Sequence, residues 1–151
     1  MEKVTVTIRR LPGNEDLPLP RYMTEHAAGL DVFAAVGQEV SIFPGQREMI
    51  PTGLAIALPE GYEAQIRPRS GIAWKHGVTL VNAPGTIDAD YRGEIGILLI
   101  NHGDQPFVVR RGDRIAQMIV QRVCRVQWDV HPELNPTGRG DGGFGHTKNE
   151  R

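Results

Sequence analysis

Residues 54–67 read LAIALPEGYEAQIR, and this stretch shows the building pattern of the chain. Leu54, Ile56 and Leu58 alternate with alanines, which is the period-2 pattern of a strand with one buried face. A Pro-Glu-Gly turn ends this run, and residues 62–67 form a second short run directly after it. Two short runs separated by a tight turn favour β-structure over helices.

The same pattern recurs along most of the chain. Further strand-like runs are residues 4–8, 78–81, 95–100, 107–109 and 115–120. The 18 glycines and 11 prolines place turns between them. Many short strands separated by turn signals predict an all-β sandwich or barrel.

Two segments could be helical, and one apolar series completes the predicted body. Residues 71–77 could hold a single helical turn. Residues 114–123 are ambiguous, because isoleucine and valine compete there with good helix formers. The apolar series Val123, Val126, Trp128 and Val130 is expected to close the folded body.

Length, charge and cysteine content exclude several classes of protein. A chain of 151 residues without internal repeats fits one domain. A net charge of −1 argues against a general nucleic-acid binder, which needs a basic surplus to neutralise phosphates. No apolar run is long enough to span a membrane, and the N-terminus lacks the apolar segment of a signal peptide. We therefore expect a cytoplasmic protein that binds neither membranes nor nucleic acid.

The C-terminal stretch differs in character from the rest. Residues 135–151 read NPTGRGDGGFGHTKNER and contain one large apolar side chain, Phe144, so this stretch cannot bury enough surface to fold alone. We expect a β domain over residues 1–134 and a mobile arm over residues 135–151. Residues 140–147 have the G-x4-G-x-T spacing of a phosphate-binding loop, without its lysine. From the spacing alone, a phosphate-binding loop and a disordered tail are equally good interpretations of these residues.

Two further segments carry side chains suited to chemistry. In residues 67–71 (RPRSG), Arg69, Ser70 and the Gly71 N–H could converge on an anion; a polar strand end is the alternative. In residues 82–93, Asp88 and Asp90 could form a carboxylate pair for a metal or for activating water. The alternative for that pair is a solvated hairpin tip. The five histidines and one cysteine show no metal-ligand spacing.

The order of the segments is more specific than any one of them. In sequence, they are AGLDVFA (residues 28–34), RPRSGIA (67–73), NAPGTIDADYRG (82–93), RGDRIAQM (111–118) and RGDGGFGHT (139–147). This series closely resembles the five ordered motifs of the homotrimeric dUTP pyrophosphatases, or dUTPases. The resemblance spans nearly the whole chain.

The resemblance implies a fold, an assembly and a reaction. The implied fold is a jelly-roll-like β-sandwich or distorted barrel with a flexible C-terminal arm. The implied assembly is a homotrimer with active sites between subunits, in which the arm of one chain covers a site built by its neighbours. The implied reaction is Mg²⁺-dependent hydrolysis of dUTP to dUMP and pyrophosphate, which keeps uracil out of DNA and supplies dUMP for thymidylate synthesis.

The resemblance also assigns roles at the uracil and sugar end of the substrate. Asp88 corresponds to the carboxylate that orients the attacking water. Tyr91 corresponds to the tyrosine that packs under the deoxyribose and leaves no room for a 2′-hydroxyl. Asn82, with the backbone near Thr86 and Ile87, corresponds to the pocket that reads uracil and excludes a 5-methyl group.

At the phosphate end, the resemblance assigns residues of the body and of the arm. The body residues matching phosphate contacts are Arg69, Ser70, Gly71 and Gln117. In the arm, Arg139 matches the γ-phosphate arginine, Phe144 the ring that stacks on uracil, and His146 and Thr147 further phosphate contacts. Asp31 matches an aspartate that acts indirectly, through magnesium waters or the subunit interface, and no residue is expected to bind Mg²⁺ directly.

Two departures and two alternatives accompany this assignment. Asp141 and Lys148 replace residues that are frequently neutral in the family, and both lie in the arm.

A dCTP deaminase of the same superfamily is the nearest alternative, but it needs a glutamate where this chain offers Asp88. A non-catalytic nucleotide sensor on the same scaffold is the other alternative; such a protein would not need to keep Asp88, Arg69 and Arg139, all of which are present.

Overall fold

The structure is a computed structural model that describes residues 3–143. These residues form twelve strands and one helix. The strands are β1 (Thr7–Arg10), β2 (Arg21–Tyr22), β3 (Leu30–Phe33), β4 (Val40–Ile42), β5 (Arg47–Pro51), β6 (Leu54–Ala57), β7 (Tyr62–Arg67), β8 (Val78–Leu80), β9 (Gly85–Ile87), β10 (Gly96–Asn101), β11 (Phe107–Val109) and β12 (Arg114–Arg122), and the helix is α1 (Ser70–His76). In this part of the chain no helix is long and apolar enough to cross a membrane.

The strands pair in antiparallel fashion and form four sheets. Their orders are β1-β6, β5-β10-β8, β11-β4 and β2-β3-β12-β7-β9. The predicted all-β class is therefore confirmed. Of the two predicted forms, sandwich and distorted barrel, the sandwich is the better description, because no sheet within residues 3–143 closes on itself.

One hydrophobic core joins the four sheets. It contains side chains from each of them, including Ile56, Ile97, Val109 and Ala116. The most deeply buried large side chains are aliphatic apart from Asn101, with Ile97 at 0% exposure. Burial of such side chains, at about 25 cal/mol per Å² of apolar area, is the main force that holds the sheets face to face.

Strand β12 lies at the centre of the largest sheet. It pairs with β3 on one edge and with β7 on the other, with an irregularity between Arg114 and Ala116. These two partners resolve the ambiguity of residues 114–123 in favour of a strand, because both edges of the backbone are hydrogen-bonded. A turn precedes β12, where Asp113 N–H donates to Arg110 O (3.0 Å).

An ion pair ties the N-terminal loop to that turn. The Arg111 guanidinium donates to both carboxylate oxygens of Asp16, at 2.9 and 2.6 Å, and to the carbonyl of Gly13 at 2.9 Å. The hydrogen bond from Arg111 holds the pKa of Asp16 below its usual range. The first Arg-Gly-Asp sequence thus serves as a structural turn between strands.

The chain leaves the body after β12. Residues 123–143 contain neither helix nor strand. Val126, Trp128 and Val130 are 69%, 84% and 91% exposed. The expectation that these side chains close the body is wrong for a single chain, because no other described segment covers them.

Candidate active site

The end of β7 and the start of α1 form one side of the site. Asp31, Arg69, Ser70, Gly71 and Gln117 line a single cavity of about 530 Å³. The five side chains and backbone groups come from three separated segments, β3, the β7–α1 connection and β12. The structure therefore brings together every body residue that was predicted to contact phosphate.

The guanidinium of Arg69 is held from two directions. Its Nε lies 3.4 Å from one carboxylate oxygen of Asp31, and its Nη1 donates to the carbonyl of Arg114 at 2.8 Å. Arg114 forms the other half of the network, with Nη1 3.1 Å from the second oxygen of Asp31. Asp31 is 8% exposed, so one buried carboxylate orients two partly exposed cations. A cation fixed in advance loses less entropy when it binds an anion.

Gln117 reaches the same cavity from the centre of the sheet. It lies opposite Arg67 on β7 and opposite Asp31 on β3. Its Nε2 donates to the carbonyl of Pro68 at 2.9 Å, which orients the amide toward the β7–α1 connection. A Cβ at Gly29 would overlap the Gln117 side chain, so a glycine is needed there to leave room for the amide.

A second group of predicted residues lies on the segment between β8 and β10. Ile87 is buried, whereas Asn82 and Thr86 are exposed. Asn82 packs over Gly85, where a Cβ would approach the Asn82 amide nitrogen to 3.2 Å. This short segment thus offers exposed polar groups at Asn82 and Thr86 next to the buried side chain of Ile87.

Tyr91 has a defined place on this segment. Its hydroxyl donates to the carbonyl of Glu94 at 2.9 Å, and its ring lies across Gly93, where a Cβ would overlap it. Tyr91 is nevertheless 46% exposed. A large ring held at one end and open on one face offers a flat surface to a ligand.

Asp88 follows β9 and lines a different cavity. That cavity has a volume of about 890 Å³ and also contains Asp90, Glu63 and Arg92. The Arg92 guanidinium donates to the carbonyls of Ala89 (2.6 Å) and Tyr91 (2.8 Å), which fixes the loop just after Asp88. Within residues 3–143 the Asp88 carboxylate has no hydrogen-bond or ion-pair partner, so it is available to a ligand or water.

Asp88 and Arg69 do not meet within one chain. Ile87 pairs with Ala64, so Asp88 lies at the level of Glu63, near the start of β7. Arg67 lies at the other end of β7, about 13 Å away at about 3.3 Å per residue, and Arg69 follows it. The cavity of Asp88 and the cavity of Arg69 have no lining residue in common.

The described part of the arm contributes one predicted residue. Arg139 is exposed, and its Nε donates to the carbonyl of Gly142 at 2.7 Å in a local turn. Phe144, His146, Thr147 and Lys148 lie outside the described residues, so their roles stay predictions. Arg114 and Gly29 are the contributors that sequence reasoning missed, although both lie inside the quoted motifs.

Comparison with known proteins shows which family the chain resembles over most of its length. The family model described as dUTPase matches residues 15–148. The chain is also 55% identical over 147 residues to the deoxyuridine 5′-triphosphate nucleotidohydrolase of Syntrophotalea carbinolica, a match that covers 97% of this chain and 99% of that protein.

The chain belongs to the dUTPase family.

Solved dUTPase structures share the jelly-roll-like fold. A point mutant of the dUTPase of Staphylococcus bacteriophage 80alpha, with dUpNHpp, matches with a TM-score of 0.82 at 23% identity, over 94% of this chain and 97% of that one. A point mutant of the dUTPase of S. aureus phage phi11, described with a structural Mg(II) ion, matches with a TM-score of 0.77 at 23% identity, over 87% of this chain and 99% of that one. At this identity the likeness concerns the fold.

Proposed function

We propose that this protein hydrolyses dUTP to dUMP and pyrophosphate by in-line attack of water at the α-phosphorus. Membership of the dUTPase family over nearly the whole chain is the observation that carries this proposal. The site geometry supports it, because the described residues present an unpartnered Asp88 carboxylate in one cavity and a cavity lined by Arg67, Arg69 and Arg114 that suits an anion. These are the parts that hydrolysis of a nucleoside triphosphate requires.

Asp88 is assigned to the attacking water. An unpartnered carboxylate accepts hydrogen bonds, so it can hold a water at a fixed distance and direction from phosphorus. Such positioning converts an encounter with bulk water into reaction with one oriented molecule. The carboxylate also accepts the proton as the oxygen–phosphorus bond forms. The bond to the bridging oxygen breaks, and pyrophosphate leaves with the electron pair.

Arg69, Ser70, Gly71 and Gln117 are assigned to the phosphates. Arg69 is the cation of this group, and Asp31 keeps its guanidinium in place. A positioned guanidinium offsets the negative charge that develops on the leaving pyrophosphate, without having to reorganise during the reaction. Arg139 supplies a second cation from the arm, directed to the γ-phosphate.

Mg²⁺ is assigned to the substrate, whose phosphates would carry it. Within the described residues no group of three or more His, Cys, Asp or Glu side chains is close enough to hold a metal ion. Both oxygens of Asp31 already face arginines. Mg²⁺ commonly binds through substrate phosphates and keeps several waters, and when bound it offsets charge on the triphosphate.

Asn82, Ile87 and Tyr91, together with the backbone near Thr86, are assigned to substrate selection. Asn82 and the backbone near Thr86 and the buried Ile87 are assigned to reading uracil and excluding the 5-methyl group of thymine. The half-exposed Tyr91 ring is assigned to pack under the deoxyribose, where a 2′-hydroxyl would lose hydration without gaining a partner. These contacts predict preference for dUTP over dTTP and UTP.

A homotrimer with shared sites explains why one chain separates Asp88 from Arg69. Two subunits that place these cavities against each other complete one site, and a symmetric ring of three repeats the contact. The exposed side chains of Val126, Trp128 and Val130 support the same assembly, because large apolar residues in series mark an interaction surface. The arm that follows them then reaches a site built by the neighbouring subunits.

A pyrophosphate-release assay across dUTP, dTTP, dCTP and UTP tests the function. We expect hydrolysis of dUTP and much lower kcat/KM for the other three. Release of ammonia from dCTP would identify a deaminase instead, and tight binding of dUTP with Mg²⁺ but no cleavage would identify a sensor. In the cell we propose a cytoplasmic role that limits uracil in DNA and supplies dUMP for thymidylate synthesis.

A further inference from the structure

Helix α1 carries Ser70 and Gly71, two of the residues assigned to the phosphates. Little of the helix is buried, so burial contributes little to fixing its position. None of its seven residues is buried, and the residue before it, Arg69, makes no side-chain capping bond. Half-buried Ile72 packs against the core from one side. A helix this short is not stable by itself, so its contacts with neighbouring segments must set its position.

The closest of these contacts is between two glycines. Gly77 ends α1 with φ at 66°, and a Cβ on it would lie 2.6 Å from the nitrogen and 2.8 Å from the Cα of Gly103. Gly103 lies in the loop between β10 and β11, and a Cβ on it would overlap the carbonyl oxygen of His76. The backbone of the loop therefore rests directly on the last turn of α1.

Two further contacts join the loop and β11 to the helix. The N–H of His102 donates to the carbonyl of Gly77 at 2.9 Å. The His76 ring lies 5.2 Å from the ring of Phe107 on β11, centroid to centroid. The end of α1 distant from Ser70 is thus fixed by backbone packing, a hydrogen bond and a ring contact.

A buried amide fixes the loop in turn. Asn101 is 0% exposed. Its Nδ2 donates to the carbonyls of Ile42 and Gln105, both at 2.8 Å, and its Oδ1 accepts from the N–H of Gly103 at 2.8 Å. A buried amide with each of these bonds made holds one arrangement of the loop, because any other would leave polar groups unpaired.

We propose that Asn101 and Gly103 are positioning residues that set α1 so that Ser70 and Gly71 can bind the substrate phosphates. The inference rests on the proposed function. Neither residue lines the cavity that contains Ser70 and Gly71. They act through the backbone of His76 and Gly77, and the helix transmits the displacement to its other end as a short rigid element.

The test is a double-mutant cycle between Gly103→Ala and Ser70→Ala in the full-length protein. Binding of dUpNHpp and of deoxyuridine, which carries no phosphate, is measured for each variant, together with the melting temperature. The matched control is Gly37→Ala, because a Cβ at Gly37 meets no atom within 4 Å. Neither Gly103 nor Gly37 has a left-handed backbone, so alanine suits the backbone conformation at both positions, and the methyl group at Gly103 acts by displacing the backbone of His76.

The inference predicts a specific pattern. Ser70→Ala and Gly103→Ala each raise the Kd of dUpNHpp about tenfold, the cost of a lost hydrogen bond to a charged group. In the Gly103→Ala background, Ser70→Ala adds less than about twofold, since the hydroxyl is already displaced. Deoxyuridine binding changes less than about twofold in each variant, and Gly37→Ala behaves as wild type.

Other outcomes distinguish a failure of this inference from a failure of the proposed function on which it rests. If Ser70→Ala leaves dUpNHpp binding unchanged, the phosphate role of Ser70 is wrong and the inference falls with it. If Ser70→Ala weakens dUpNHpp binding while Gly103→Ala leaves it unchanged, the inference alone is overturned. The same holds if the increase in Kd of the double variant equals the product of the two single increases. If Gly103→Ala does not fold, Asn101→Ala replaces it in the cycle, because it removes the hydrogen bonds that hold the loop against α1, and full multiplication there overturns the inference.

Discussion

The buried carboxylate of Asp31 allows a quantitative test of the anion surface. Asp31→Asn keeps the size of the side chain and removes its charge. Two guanidinium groups, of Arg69 and Arg114, then lose their ionic partner. The Asp31 side chain is 11% exposed, and the two arginine side chains are 26% and 41% exposed.

These exposures decide the magnitude. Fully exposed ion pairs contribute about 0–1 kcal/mol, and breaking a fully buried one costs about 3–5 kcal/mol. One buried partner with two half-exposed ones lies between these limits, so we expect a loss of about 2 kcal/mol. For a chain of this size, that loss lowers the melting temperature by about 4–8 °C.

Scanning calorimetry measures the change, and Glu39→Gln is the control. Glu39 forms an exposed ion pair with Arg110 (3.3 Å, side chains 61% and 64% exposed), so its loss should change stability by no more than about 0.5 kcal/mol. The same Asp31→Asn variant should raise the KM for dUTP, because Arg69 keeps its bond to the Arg114 carbonyl but loses its carboxylate. Equal melting temperatures for the two variants would refute the assigned role of Asp31.

Three further perturbations test other parts of the proposal. Asp88→Asn should lower kcat about 10²–10⁴-fold with dUpNHpp binding retained, and near-normal kcat in single-turnover assays would contradict the assignment. Truncation after Asn135 should leave a folded trimer by light scattering but abolish dUTP hydrolysis; full activity would show that the arm has no catalytic role. The pKa of Asp16 is lowered by the hydrogen bond from Arg111, so the stability of wild type relative to Asp16→Asn should be constant above about pH 5 and decline as the pH falls through the lowered pKa, below about 3.9. A stability difference that persists at pH 2 in denaturant titrations would rule out this linkage.

Local patterns were enough to locate most strands. The alternation at residues 54–58 and the run at 62–67 correspond to β6 and β7. Which strands pair was not readable from these patterns. The two neighbours in sequence lie in different sheets, because β6 pairs with β1 and β7 with β12 and β9. Periodicity specifies which face of a strand is buried, and it carries no information about the distant segment that lies beside it.

Two segments show how tertiary contacts override local preference. Residues 114–123 fit helix and strand equally well by composition, and β12 exists because β3 and β7 bond both of its edges. Val126, Trp128 and Val130 alternate as a strand would, yet they are exposed. An alternating pattern requires a partner to become buried, and a single chain does not provide one for this segment.

The sequence by itself determined the strand content, the order of the five motifs and, through them, the family. The tertiary structure decided how the predicted residues are grouped. It placed Arg69, Ser70 and Gln117 in one cavity, fixed Arg69 through the buried carboxylate of Asp31, and put Asp88 near the other end of β7. The physical reason is that a motif specifies which chemical groups are present, whereas the distance between two groups depends on antiparallel register and burial across the whole sheet.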